Sequence, residues 1–258
     1  MTDDSILLSF AHDRMSKCIS DFVLTSTLFL DVRQQSLVLS EFSKNQDAKV
    51  VLYGGIDTAE RMVALFLPFY FETDDLSSYF SENPEENPMT VIRFEKDSFS
   101  TAGHRDYLGA LMGLGIKREM IGDIIVTETG ADIIVMKSVA AFILSEMKSA
   151  GRATLHAEEI SFEKVSSVVS SAREIKVNVS SMRIDNIISA CFNLSRTDSA
   201  QAVMSGNVFL NTVQVLKCDK KVNIGDKIVY RTKGKIVIKE DAGTSKKGRT
   251  FLKIDIYN

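Results

Sequence analysis

Between Val91 and Ile160 the apolar pattern changes period in a fixed order, and that order leaves few folds open. Val91-Ile-Arg-Phe reads as a strand and His104-Arg-Asp-Tyr-Leu-Gly-Ala-Leu-Met as a helix. Asp123-Ile-Ile-Val-Thr and Asp132-Ile-Ile-Val-Met are two strands joined by Glu128-Thr-Gly-Ala, a hairpin signal. Ser138 to Ser149 reads as a helix with Ser138 as its cap, and Ala153 to Ile160 is a last strand. The succession β-α-β-β-α-β is the split, ferredoxin-like arrangement. RNA recognition modules share it, but they stack bases on exposed sheet aromatics. Here the strands carry Phe94 among aliphatic residues, so the order of elements does not assign the function.

At 258 residues the chain is longer than one compact domain needs. Residues 1 to about 75 read as a first α/β unit. Ile6 to Met15 and Ser36 to Phe42 have helical spacing, and Val50-Val-Leu-Tyr is a strand ending at Gly54-Gly55. Ala59 to Leu67 reads as a helix stopped by Pro68, with Arg61 as a surface charge. Glu72 to Pro88 is acidic and broken by proline, and reads as a linker or loop. No apolar stretch reaches the ~20 residues of a membrane span. The acidic start Met-Thr-Asp-Asp lacks the positive region of a signal peptide. Cys18, Cys191 and Cys218 lie far apart and read as reduced thiols, so a cytoplasmic protein is expected.

The net charge of −3 hides an asymmetry. From Arg183 onward there are 14 Lys+Arg and 7 Asp+Glu, leaving 17 basic and 27 acidic residues before it. A basic tail on an acidic body is the electrostatic footprint of a nucleic-acid binder. In that tail Met182 to Phe192 reads as a helix with Arg183 in its first turn, where a cation is unfavourable for the helix dipole. Asp185 is placed to orient it. Ser195 or Thr197 caps a second helix that runs to Ser205 with Ala200 and Val203 inward, and Arg196 lies at its start. Both helix starts are expected to offer N–H donors and an Arg to one phosphate-binding surface. Asn207 to Leu210 is a strand with Asn211 as its turn residue, and Lys217, Lys220 and Lys221 follow. Gly243 to Gly248, with Lys246 and Lys247, reads as a basic hairpin tip.

This tail resembles the S4 RNA-binding domain. Ser181-x-Arg-Ile-Asp, Ser195-Arg-Thr, Gly206-x-Val-x-Leu-Asn and Gly225-Asp-x-Ile fall in the family's order. The resemblance implies RNA contacts by Arg183, Ser195, Arg196, Thr197 and Asn211, and more weakly by Lys217. Tyr53-Gly-Gly-Ile-Asp-Thr-Ala-Glu-Arg-Met and the run from Gly103 to Ile124 resemble the bacterial YlmH family over nearly the whole chain. That implies an α+β protein with an N-terminal α/β unit (1–75), a ferredoxin-like RNA-binding domain (76–165) and a C-terminal S4 domain (180–258). It further implies structured RNA, ribosomal RNA or tRNA on the large ribosomal subunit, as partner, in ribosome-associated quality control, and an association with cell division.

Arg105, Lys117 and Arg118 form a candidate second RNA contact. The plainer reading is that His104 opens a helix and Asp106 steadies its first turn. No catalysis, metal or cofactor is expected: the histidines and cysteines lack zinc-ligand spacing, and no Gly-rich cofactor loop is present. Two S4-bearing enzyme classes are rivals. His104-Arg-Asp-Tyr is similar to the pseudouridine synthase motif, but Asp106 falls one residue early. Arg14-Met-Ser-Lys-Cys is similar to the tyrosyl-tRNA synthetase signature, but no nucleotide-binding fold precedes it. A third alternative is a scaffold at the division site with a cell-division protein partner, which would keep its partners after ribonuclease digestion.

Overall fold

The computed structural model describes residues 3–42, 48–71, 75–166, 173–231, 233–244 and 249–257. The chain divides into two compact units, 1–168 and 169–258. Among the described residues no helix is long and apolar enough to cross a membrane.

The first unit opens with α1 (Asp3–Asp21), β1 (Thr25–Ser26), α2 (Val32–Phe42), β2 (Lys49–Tyr53) and β3 (Val63–Leu67). The strands form an antiparallel sheet in the order β1-β3-β2. The expected helix over Ala59 to Leu67 is therefore corrected: its second half is the central strand. All five residues of β3 are buried. Ala64 and Phe66 pack with Ala11 and Cys18 of α1 and with Val38 and Phe42 of α2, while Val63, Leu65 and Leu67 face a second core. A strand covered on both faces is continuously apolar, and so short a run has no period to separate it from a helix.

The acidic stretch also differs from the expected loop. It contains α3 (Leu76–Glu82), capped by Asp75, whose carboxylate accepts from the Ser78 amide at 3.1 Å and the Ser78 hydroxyl at 2.7 Å. A 3-10 turn follows at Pro84–Glu86. Next come β4 (Met89–Lys96), α4 (His104–Gly113), β5 (Ile121–Val126), β6 (Gly130–Met136), α5 (Lys137–Glu146), β7 (Ser149–Ala150) and β8 (Ala153–Ile160). The antiparallel sheet order is β5-β6-β4-β8-β7, so the α4 connection from β4 to β5 passes over β6, and the α5 connection from β6 to β8 (through the short edge strand β7) passes over β4. Ser138 is not the cap of α5. Strand β6 runs directly into the helix, and the Lys137 amide donates to the Pro88 carbonyl at 2.9 Å.

Alternation along β4 and β6 assigns the two faces of this sheet. Ile92, Phe94, Ile133 and Val135 pack with Tyr107 and Leu111 of α4 and Ile143 of α5. Met89, Val91, Ile134 and Met136 pack with Val63, Leu65 and Leu67 of the smaller sheet and with Phe29 from the segment before α2. The face that an RNA recognition module offers to bases is thus occupied by the protein's own core. Within it, Arg93 and Asp132 stand opposite each other and pair bidentately at 2.7 and 2.8 Å, with Asp132 only 1% exposed.

The second unit contains β9 (Arg173–Val179), α6 (Ile184–Phe192), α7 (Arg196–Met204), β10 (Val208–Leu210), β11 (Val213–Gln214), β12 (Lys227–Tyr230), β13 (Gly234–Thr244) and β14 (Thr250–Tyr257). Its sheet runs β11-β10-β12-β13-β14-β9, all antiparallel. Ile184, Ile187 and Ile188 of α6 and Ala202 and Val203 of α7 pack on Ile228, Ile236, Ile238, Leu252 and Ile254. The inward face of α7 carries Ser199, Ala202 and Val203, while Ala200, expected inward, is half-buried. Lys246 and Lys247 lie outside the described residues.

Candidate nucleic-acid interface

Arg183 occupies the N-cap position of α6, one residue before the helix, rather than its first turn. Its guanidinium forks onto Asp185, with Nε to Oδ1 at 3.1 Å and Nη2 to Oδ2 at 2.7 Å. Asp185 in the first turn suits the helix dipole, and the pairing pushes the Arg183 guanidinium above its usual range. The arginine stays 44% exposed while Asp185 is 16% exposed, so the cation faces water and its carboxylate lies beneath.

The loop after β11 docks against the start of α6. Arg183 forms a β-bridge with Lys221. The Ile184 amide donates to the Lys220 carbonyl at 2.9 Å, and the Val222 amide to the Met182 carbonyl at 3.0 Å. Main-chain pairing thereby gathers the exposed residues Arg183, Lys220 and Lys221 at one helix N-terminus, with Lys217 on the same loop. Asp219 adds a negative charge beside Arg183. The sequence shows these lysines but carries no signal for the bridge, which joins segments far apart in the chain.

Arg196 stands at the first position of α7, exposed and without an ion pair among the described residues. Along the chain the two helix starts are separated by α6, whose nine residues span about 13 Å. Ser195 is the cap of α7. Its Oγ accepts from the Asp198 amide at 3.0 Å and donates to the Asp198 carboxylate at 2.7 Å. Thr197 is exposed. Asn211 is held internally: its φ is 48°, its Nδ2 donates to Asp226 at 2.7 Å, and its Oδ1 accepts from the Lys227 amide at 2.9 Å. Both ends of that amide fix the turn after β10.

In the first unit Arg105 and Lys117 are exposed, but Arg118 is turned inward. Its Nη1 donates to the Ile121 carbonyl at 2.6 Å and the Gly122 carbonyl at 3.3 Å. Burial and the neighbouring Arg61 bring its pKa down to about 10. Arg61, read from the sequence as a surface charge, is half-buried and donates to the carbonyls of Ile121 (2.9 Å), Phe29 (3.1 Å) and Arg118 (3.4 Å). It fastens the small sheet to the larger one, helped by Asp123, whose carboxylate accepts from the amides of Glu60 (2.7 Å) and Arg61 (3.0 Å). Burial raises the Asp123 pKa. His104 is pushed down, first by burial and then by Arg118. Asp106 accepts from the Gly103 amide at 2.8 Å and closes the start of α4, so this carboxylate has a structural task. Among the described residues no group of three or more His, Cys, Asp or Glu could hold a metal ion.

Comparison with known proteins sets this geometry in a family. Residues 86–164, from the end of the Pro84–Glu86 turn to the 3-10 turn Phe162–Lys164 that follows β8, match the model of the family described as "Putative RNA-binding domain in YlmH". The chain is 31% identical over 226 residues to the Bacillus subtilis (strain 168) "Ribosome-associated protein quality control protein P2", covering 86% of this chain and 83% of that one. It is similar in fold to the "Cell division protein ylmH from Streptococcus pneumoniae", with a TM-score of 0.51 at 20% identity over 64% of this chain and 96% of that one. The class these findings define is a mixed α/β protein with an RNA-binding-type domain at its centre. The chain belongs to the YlmH family.

Proposed function

We propose that this chain is a non-catalytic RNA-binding protein of S4 type. It engages structured RNA, ribosomal RNA or tRNA on the large ribosomal subunit, through residues 180–258 and serves ribosome-associated quality control in the cytoplasm. The carrying observation is the exposed cationic surface of Arg183, Lys220 and Lys221 gathered at the N-terminus of α6, where a phosphate meets both side-chain charge and helix dipole. Arg196, Thr197 and Lys217 extend that surface; Ser195 and Asn211 act by holding it in shape. The name of the Bacillus subtilis relative, which ties that protein to ribosome-associated quality control, supports the setting.

Under this reading residues 1–75 form an α/β unit and 76–165 a ferredoxin-like domain that adds a second RNA contact through Arg105 and Lys117. Arg118 supports that contact from behind. Co-sedimentation with purified large ribosomal subunits tests the proposal. Binding weakens steeply as salt rises, and Arg183→Ala with Arg196→Ala reduces it. Salt-insensitive binding, or binding unchanged in the double variant, refutes it.

A further inference from the structure

The Tyr53-Gly-Gly-Ile-Asp motif has no part in the basic surface, yet it builds one wall of a cleft in the first unit. This cleft of about 720 Å³ opens between the turn after β2, helix α3 and the end of β8, within the size range of ligand sites. Gly55 has a φ of 81°, and a Cβ there would come within 2.2 Å of the Phe162 ring. Only glycine lets the turn lie flat on that ring and present Tyr53 and Asp57 to the cavity. Phe80 closes the side formed by α3.

Two properties define what the cleft accepts. The first is charge. Among the described residues Asp57, Glu159 (accepting from the Thr90 hydroxyl) and Glu163 (accepting from the Ser81 hydroxyl at 3.3 Å) line it against a single cation, Lys137, whose Nζ already donates to the Pro84 carbonyl at 2.9 Å. Three carboxylates beside aromatic walls repel phosphate and attract an ammonium or guanidinium group on an apolar stem. The second is an unmatched donor. Asn87 is 5% exposed and lines the cleft. Its Oδ1 accepts from the Met89 amide at 3.1 Å, which fixes the orientation of the side-chain amide. Its Nδ2 has no hydrogen-bond partner among the described residues, so it offers a donor to an incoming acceptor.

We propose that this cleft docks a basic segment of a partner protein. A lysine or arginine side chain lays its stem against Phe80 and Phe162 and directs its cation at Asp57, Glu159 and Glu163, while a main-chain carbonyl of the same segment accepts from Asn87. A free polyamine meets the charge but has no acceptor for Asn87; a peptide meets both. The surface is distinct from the RNA-binding one and carries the opposite charge.

The test uses amide and side-chain NMR of the full chain with three probes: an acetylated and amidated alanine pentapeptide with a central arginine, the same peptide with citrulline, and spermidine. The arginine peptide shifts the Asn87 side-chain and Gly55 resonances, and citrulline weakens binding about tenfold by removing the charge without changing the shape. Asp57→Asn with Glu159→Gln, both exposed and nearly isosteric, weakens the arginine peptide similarly. Should that variant fail to fold, the citrulline arm on the unaltered protein still decides. No shift with the arginine peptide at about 10 mM, well above a weak specific Kd, equal affinity for citrulline, or spermidine binding as tightly at the same resonances overturns the proposal.

Discussion

Exchanging Arg183 and Arg196 together for alanine tests the RNA reading quantitatively. Each exposed guanidinium that meets a phosphate contributes about 0.9 to the slope of log K against log salt on duplex, or about 0.7 on single strands. Losing both contacts lowers the slope by roughly 1.4 to 1.8. Across a fourfold rise in salt, from about 50 to about 200 mM, the variant's affinity deficit should therefore shrink by roughly 7- to 12-fold. Asp185 already neutralises part of the Arg183 charge, which favours the lower figure. Folding should be untouched, because Asp185 left alone still suits the first turn of α6 and Arg196 opposes the dipole of α7. Fluorescence anisotropy on a structured ribosomal RNA fragment across a salt series gives the slopes, and circular dichroism melting gives the control. Parallel lines for variant and parent, whatever their offset, would refute the assignment of these two residues to phosphates.

The remaining expectations concern the scaffold beneath the surface. Asn211→Ala should cost about 1 to 2 kcal/mol, from two lost hydrogen bonds and a left-handed alanine, while leaving the RNA salt slope unchanged; an altered slope would make Asn211 a direct contact. Arg93→Leu leaves Asp132 buried without its cation and should cost about 2 to 3 kcal/mol, near the low end for buried pairs because Arg93 is 27% exposed. Burial pushes the Asp132 carboxyl up, but Arg93 and the Ser166 amide hold it below its usual value on balance. The pair's contribution is therefore present above about pH 4 and fades as pH falls below that, so urea-derived stabilities of parent and variant should converge in acid. Gly130→Ala would place a Cβ 1.7 Å from the Phe94 carbonyl oxygen, and a loss on the order of 3 kcal/mol in the same assay is expected. Cys191, whose thiol burial pushes up to about 12, should resist iodoacetamide at neutral pH until the protein is unfolded, as mass spectrometry would read.

Long periodic segments and their punctuation were legible from residue order. The strand and helix succession from Val91 to Ile160 is present, as are the two helices of the tail, with Ser195 as cap and Gly206 as stop. Residue order places Arg183 and Arg196 within one residue of their helix positions because capping chemistry is local. What escaped was set by distant partners. Val63–Leu67 is a strand because helices cover one face and a second sheet the other. Arg61 reads as a surface charge, yet it donates to carbonyls of Phe29, Arg118 and Ile121, contributed by other segments that no spacing reveals; Arg118 reads as an RNA contact, yet it turns back onto the carbonyls of Ile121 and Gly122 just downstream. The bridge from Arg183 to Lys221 belongs to the same category. The short helix α3 is hidden in the sequence because its acidic, proline-flanked surroundings mask the cap at Asp75.

The outermost strand of the C-terminal sheet is made from residues that come before the helices it accompanies. Strand β9 zips along β14 from Val179–Thr250 to Arg173–Ile256. A truncation beginning at residue 180 would keep every cationic group on α6 and α7 but leave the backbone groups of β14 that face β9 unpaired, beside Leu252 and Ile254, while its other edge stays on β13. An open apolar rim of that kind recruits a second copy of itself. Precipitation of such a fragment would report the missing strand and say nothing about affinity for RNA; expression from Arg173 or earlier keeps the rim closed.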